Sequence, residues 1–168
     1  MTEVVDTDIV IVGAGPVGVT LALLLANSGL QVRLLDRRPL ATQSGDPRAL
    51  ALSHGARQLL DPLGAWPGRD ATPIETIHIS QRGGFGRTVM DRAEYGLPAL
   101  GYVVRYCKLA AALQTQLDPA ALIAPAEITA ITPHPDHVAV SINEDGSERT
   151  LRTRLLVHAE GTPGDDAQ

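Results

Sequence analysis

The sequence feature that leaves this chain the fewest choices is Gly13-Ala14-Gly15-Pro16-Val17-Gly18, a Gly-x-Gly-x-x-Gly set between two apolar segments of different period. Before it, Ile9-Val10-Ile11-Val12 is an unbroken, β-branched run, which reads as a strand over residues 7–12 buried on both faces. After it, residues 19–28 place Leu21, Leu24 and Leu25 on one helical face, and Gly29 stands where a left-handed turn closes a helix. Pro16 suits the first helical turn, where its missing N–H has no partner to lose. Residues 31–35 form the next strand, ending on Asp36, eighteen residues beyond Gly18. Together these make a βαβ unit of about thirty residues, the framework of a dinucleotide site.

The chemistry explains the spacing. Gly13 permits a tight turn off the strand, Gly15 lets backbone approach a pyrophosphate, and Gly18 lets the helix pack closely. The helix started by Pro16 offers the unpaired N–H groups that follow it, and partial positive charge, to phosphates. Asp36 is placed to accept hydrogen bonds from both hydroxyls of an adenosine ribose, and would repel a 2′-phosphate. FAD and NAD share this fingerprint, so by itself it leaves the cofactor open. An NAD-binding reductase or dehydrogenase domain and a non-catalytic nucleotide-binding module both stand as alternatives.

Composition narrows the partners. The 168 residues, 44% hydrophobic and 20% charged, suit one domain with a core. A net charge of −5 provides no footprint for nucleic acid. The single cysteine, Cys107, builds neither a disulfide nor a thiolate cluster, so a reducing, cytoplasmic setting is the default expectation. The longest apolar stretch, residues 17–26, is about half of the ~20 residues that cross a bilayer. Glu3, Asp6 and Asp8 precede the first apolar run, where a secretory signal would be basic.

Further along, residues 49–63 read as a helix with Ser53 as N-cap and Leu59, Leu60 and Leu63 as its apolar set. Residues 73–81, 87–90 and 101–104 read as strands of a small inserted antiparallel patch. Residues 105–117 read as a helix through Leu109, Leu113 and Leu117, stopped by Asp118-Pro119. Residues 126–132, 137–142 and 148–151 form a meander, and Leu155-Leu156-Val157 a separate buried parallel strand running into Glu160-Gly161 beside the ligand. The fold class is therefore α/β: a Rossmann-like parallel sheet with its βαβ unit, an antiparallel meander, and part of an inserted sheet.

Some tempting chemistry reads as structure. His134 and His137 flank Pro135 in a turn, with no thiolate or carboxylate set to complete a metal site. His54 and His158 are read as structural, with a minor binding role open for His158, and Cys107 as a small helical hydrophobe. No metal ligand, acid, base or nucleophile is assigned.

The fingerprint with Asp36-Arg37, the segment Asp46-Pro47-Arg48-Ala49-Leu50-Ala51-Leu52-Ser53, then Leu63-Gly64-Ala65-Trp66, Pro73-Ile74, Phe85-Gly86 and Leu100-Gly101-Tyr102-Val103-Val104, together carry a resemblance. The chain resembles the amino-terminal part of the UbiH-type ubiquinone-biosynthesis hydroxylases, group A FAD-dependent monooxygenases with the para-hydroxybenzoate hydroxylase fold. The segment around Arg48 is the most family-specific part.

The resemblance implies that Gly13, Gly15, Val17, Gly18 and Asp36 hold the ADP half of FAD, that Arg37 and Arg48 lie near nucleotide and flavin, and that adenine sits against the meander around Ile128. Glu160-Gly161 stands where the family has an Asp-Gly pair, and Thr162-Pro163-Gly164 where a serine and an arginine are usual. It implies residues 1–72 and 105–168 as two parts of an FAD-binding domain, with residues 73–104 a partial substrate-domain insertion. The implied chemistry is hydroxylation of a polyprenylated phenol with O2, by way of flavin reduction by NAD(P)H and a flavin C4a-hydroperoxide. A lipid-soluble substrate leaves peripheral membrane or biosynthetic-complex contact open. Because family members run more than twice as long, the expectation is an amino-terminal piece, with weak or absent FAD affinity, little turnover alone, and exposed apolar surface favouring self-association.

Overall fold

The computed structural model describes residues 5–39, 46–81, 83–84 and 86–161. Phe85 and the segment 162–164 lie outside the described residues. Strand β1 (Thr7–Val12) is hydrogen-bonded in parallel on both sides, and its alternation divides the core. Ile9 and Ile11 enter one apolar cluster with Val19, Leu34, Tyr102, Leu109 and Leu113. Val10 and Val12 enter the other with Leu35, Ile123, Val140 and Ile142. This two-sided burial is what an unbroken β-branched run predicts.

Helix α1 (Pro16–Leu25) follows β1 and leads to β2 (Val32–Leu35), parallel to β1. The helix starts and ends three residues before the expected 19–28, and its buried residues are Gly18, Val19 and Ala22. Leu24 is exposed. Small residues therefore form the contact line, and the neighbouring leucines flank it.

Residues 49–53 depart from the expected helix. They form β3 (Ala49–Ser53), whose period-2 alternation tucks Leu50 and Leu52 part-way in, and α2 (His54–Leu60) starts only after it. Ser53 is the N-cap as expected, its hydroxyl accepting from the Ala56 amide at 3.1 Å. Leu60 is buried and Leu59 exposed. The expected strand over 73–81 is two strands, β4 (Ala71–Ile74) and β5 (Thr76–Ser80), in different sheets. With β6 (Arg87–Asp91) and β7 (Gly101–Arg105) they form a three-stranded sheet, β3-β7-β4, and a hairpin, β5-β6, both antiparallel. Pro73, which lacks an amide, sits on an edge strand as its chemistry requires.

Helix α3 (Tyr106–Gln116) buries Leu109, Ala110 and Leu113 and packs on α1. A two-residue strand, β8 (Leu122–Ile123), pairs in parallel with β2 and carried no sequence signal. Next come β9 (Glu127–Pro133), β10 (Val138–Glu144) and β11 (Ser147–His158), completing the six-stranded order β8-β2-β1-β11-β10-β9. The β10–β11 turn has Asp145 and Gly146 at φ 50 and 84, as a two-residue hairpin needs.

The two strands expected over 148–151 and 155–157 are one. Strand β11 is antiparallel to β10 up to Thr153 and parallel to β1 from Thr153 onward. Nothing in Arg152-Thr153-Arg154 breaks a strand, and buried Thr153 donates its hydroxyl to the carbonyls of Asp8 (3.1 Å) and Leu155 (2.9 Å) where the partner changes. Leu155, expected to be buried, is 52% exposed, because α1 lies over the β1–β2 side of the sheet. No helix among the described residues is long and apolar enough to cross a membrane.

Candidate functional site

The glycine loop emerges where β1, β2 and β11 end side by side. The Gly13 amide donates to the Leu35 carbonyl at 2.7 Å, and the Ala159 amide to the Val12 carbonyl at 2.7 Å. Gly13 holds φ +102, and a Cβ there would lie 2.7 Å from the Ala159 carbonyl group. A Cβ at Gly18 would lie 1.9 Å from the Gly13 carbonyl oxygen, so only glycine allows helix and loop to approach this closely.

Gly15 differs in kind. At φ −71 and ψ 178 it is the N-cap of α1 with ordinary extended geometry, and the nearest atom to a Cβ there is the Tyr106 hydroxyl, at 3.7 Å. A Cβ at Gly15 would meet only that hydroxyl, at ordinary contact distance, whereas Gly13 and Gly18 are closed by backbone. Pro16 is at the helix start, Val17 is 72% exposed beside it, and the first intrahelical bond runs from the Val19 amide to the Gly15 carbonyl. A helix start of this form, without an acidic residue in its first turn, suits an anion.

Asp36 ends β2 and is buried. Its Oδ2 accepts from the Ala14 amide at 2.8 Å and its Oδ1 from the Arg38 amide at 2.8 Å. Its own backbone is gripped by the segment after β8: the Asp36 amide donates to the Ile123 carbonyl and the Ala126 amide to the Asp36 carbonyl. The carboxylate therefore staples the glycine loop to the second strand, and each oxygen keeps a further lone pair. Arg37 is exposed next to it. Ile128, two residues past Ala126, is half-buried in the second apolar cluster opposite Ile142.

Arg48 precedes β3. Its Nε and Nη2 bond both Asp46 carboxylate oxygens at 2.6–3.0 Å, and its guanidinium lies 5.0 Å from the Tyr106 ring centroid. Those hydrogen bonds hold the Asp46 carboxyl below its ordinary value. Burial pushes the Tyr106 hydroxyl up, against the opposing pull of Arg38 and Arg48. Glu160, exposed at the end of β11, has Oε2 3.1 Å from His158 Nδ1, and Gly161 takes φ +77. The Gly13 contact with Ala159 and the Glu160 amide brings this second signature against the first loop.

Sequence reasoning passed over Asp46 and Tyr106. Tyr106 opens α3, and a helix start following an inserted strand is the signal that could have singled it out. The His134–His137 loop is a loop, but His137 is buried and stacks on His134 at 4.4 Å, with Nδ1 2.8 Å from Asp136. Among the described residues no group of three or more His, Cys, Asp or Glu gathers as metal ligands. His54 stacks on Tyr102, and Cys107 is half-buried on α3.

The FAD binding domain family matches residues 6–165. The chain belongs to that family. It is 36% identical over 162 residues to the ubiquinone hydroxylase UbiL of Rhodospirillum rubrum, covering 92% of this chain and 37% of that protein. It is 32% identical over 167 residues to the 3-demethoxyubiquinol 3-hydroxylase of Escherichia coli, covering 92% and 41%. The chain thus spans about two fifths of the length of these relatives. Among solved structures, p-nitrophenol 4-monooxygenase PnpA of Pseudomonas putida shares the fold at TM-score 0.74 and 21% identity, over 95% of this chain and 42% of that one. CabE, an aromatic hydroxylase from angucycline biosynthesis, aligns at TM-score 0.74 and 25% identity, over 93% and 31%. An FAD's ADP half fits what the FAD binding domain presents: a backbone-free approach at Gly15 beside the Tyr106 hydroxyl, closed packing at Gly13 and Gly18, and a carboxylate at the tip of β2.

Proposed function

We propose that this chain is the FAD-binding portion of a flavin-dependent monooxygenase that hydroxylates a polyprenylated phenol in ubiquinone biosynthesis, with NAD(P)H as reductant and O2 as co-substrate. The observation that carries the reading is the ground above Gly15 at the start of α1, free of backbone and bordered by the Tyr106 hydroxyl, with Asp36 bonded to the neighbouring Ala14 amide and Arg48 on the Tyr106 ring. Gly15, Pro16, Val17 and the α1 amides would receive the pyrophosphate, with Gly13 and Gly18 shaping the turn. Asp36 would accept the ribose hydroxyls on its remaining lone pairs, Arg37 and Arg48 would balance phosphate charge, and Ile128 would back the adenine. Glu160 and Gly161 would border the cofactor from β11.

The chemistry that flavin supplies when bound is reduction by NAD(P)H and activation of O2 towards an electron-rich ring; the protein binds, orients and excludes water. Residues 1–72 and 105–168 are read as the two parts of the FAD-binding domain and 73–104 as the insertion, with β3 of the first part hydrogen-bonded to β7 of the insertion. The ubiquinone assignment follows the names of the relatives at 36% and 32% identity. Peripheral membrane or biosynthetic-complex contact and self-association belong to the same reading, and exposed Leu155, Ile79 and Tyr95 are where self-association would start.

Titrating FAD and NADH into the 168-residue chain, followed by flavin and nicotinamide fluorescence, tests it. Weak FAD binding, with Kd of about 10 μM to 1 mM and preference over NADH, is the expected result. Equal or tighter NADH binding would favour a reductase domain, and binding of neither, even with the carboxyl-terminal part of a longer relative supplied in trans, a non-catalytic module.

A further inference from the structure

Contacts through Arg48 and Tyr106 link Asp46 to the ground beside Gly15. The Asp46 carboxylate grips the Nε and Nη2 side of the Arg48 guanidinium, and its Oδ1 also accepts from the Arg48 amide at 3.0 Å. The Arg48 carbonyl accepts from the Tyr106 amide at 2.7 Å, so backbone and side chain of Arg48 are held from opposite sides. The guanidinium rests 5.0 Å above the Tyr106 ring, and the Tyr106 hydroxyl is 3.7 Å from where a Gly15 Cβ would be. Asp46 is the more enclosed partner, its side chain 23% exposed against 68% for Arg48. The ion pair does not use Nη1 of Arg48.

We propose that Asp46 is a positioning residue: with the Tyr106 ring as floor, it fixes Arg48 so that the unused side of the donor fork serves a phosphate of the dinucleotide held above Gly15. The inference rests on the proposed dinucleotide site and adds a residue to it. A long arginine side chain loses much rotamer freedom on binding, and a partner that immobilises it beforehand removes that cost from the ligand's affinity. An arginine fork can engage two planar acceptors on different edges, which a lysine point charge cannot.

The sign of one substitution separates this from plain electrostatics. Asp46→Asn removes a negative charge close to an anion site, and charge alone predicts tighter FAD binding. Positioning predicts weaker binding, by about threefold, the scale of an exposed ion pair. FAD and ADP are titrated into the parent chain, Asp46→Asn, Arg48→Ala and the double variant, with Gly15→Ala as the control for the site. Expected is a loss in Asp46→Asn, a larger loss in Arg48→Ala, and no further loss when Asp46→Asn is added to Arg48→Ala. The Arg48 Nε–H resonance should be protected from solvent exchange in the parent and lose that protection in Asp46→Asn, a readout that needs no ligand. Unchanged or tighter binding in Asp46→Asn, or a further loss in the double variant, overturns the role of Asp46 while leaving the site intact. Binding that is insensitive to Gly15→Ala, or absent from the parent even with the carboxyl-terminal part of a longer relative supplied in trans, overturns the site and this inference with it.

Discussion

Replacing Gly18 by alanine tests whether loop and helix are as closely packed as described. A Cβ at Gly18 would lie 1.9 Å from the Gly13 carbonyl oxygen, 3.1 Å from the Gly13 carbonyl carbon and 3.4 Å from the Ala159 Cβ. A relaxed carbon–oxygen contact is about 3.3 Å, so helix and loop must part by about 1.4 Å. The obstacle is backbone, and that backbone is tied to β2 through the Gly13 amide and the Ala14 bond to Asp36. Overpacking of this kind costs about 3 kcal/mol, at the upper end of its usual range, because no side chain can swing aside. Alanine in place of glycine within a helix returns about 1 kcal/mol. The net loss is about 2 kcal/mol, or about 4–8 °C in Tm for a chain of this length. Thermal unfolding followed by circular dichroism, together with urea titration, measures it. A variant as stable as the parent would show that the helix does not contact the loop at Gly18, and the reasoning would fail.

Gly15→Ala should behave oppositely, leaving Tm within about 2 °C of the parent, since its φ of −71 suits alanine, while weakening FAD by about tenfold or more because the Cβ stands on the ligand's ground. Asp36→Asn should lower stability by about 1–3 kcal/mol, because one of the two amides now bonded to the carboxylate must face an NH2 group; a urea titration that finds no loss would remove Asp36 as the staple. The Asp91 carboxyl is held below its usual 3.8 by the Ala93 amide and the Thr76 hydroxyl, so it stabilises the fold fully above that value and loses this contribution as pH falls through the depressed one. The stability difference between parent and Asp91→Asn, measured in urea, should therefore shrink on acidification from pH 6 to about pH 3, and a constant difference would contradict it.

The opening βαβ unit was legible because three local signals agree: β-branched residues for a two-sided strand, glycine where backbone meets backbone, and proline where an amide has no partner. Asp36 was legible as the end of that unit, but its bonds to the Ala14 and Arg38 amides were not, since they depend on how the loop folds back. Residues 49–53 were misread because the helical set Leu59, Leu60 and Leu63 was extended back over Leu50 and Leu52, whose two-residue spacing is that of a strand, and the partner that makes it one, β7, lies about fifty residues away. Strand β11 was split because composition changes at Arg152-Thr153-Arg154, whereas the backbone continues and exchanges one neighbour for another at Thr153. Arg48 was singled out through its local segment, while Asp46 and Tyr106 acquire meaning only once α3 is seen to start beside the glycine loop.

An adenine dinucleotide should bind this chain at the glycine loop. An 1H–15N correlation spectrum of the chain titrated with FAD measures this directly. The amides of Gly15, Val17 and Gly18, together with Arg37, Arg48 and Glu160, should shift along saturating curves with one common Kd. Shifts confined to residues remote from the glycine loop, or no shift in those amides while flavin fluorescence reports binding, would contradict it.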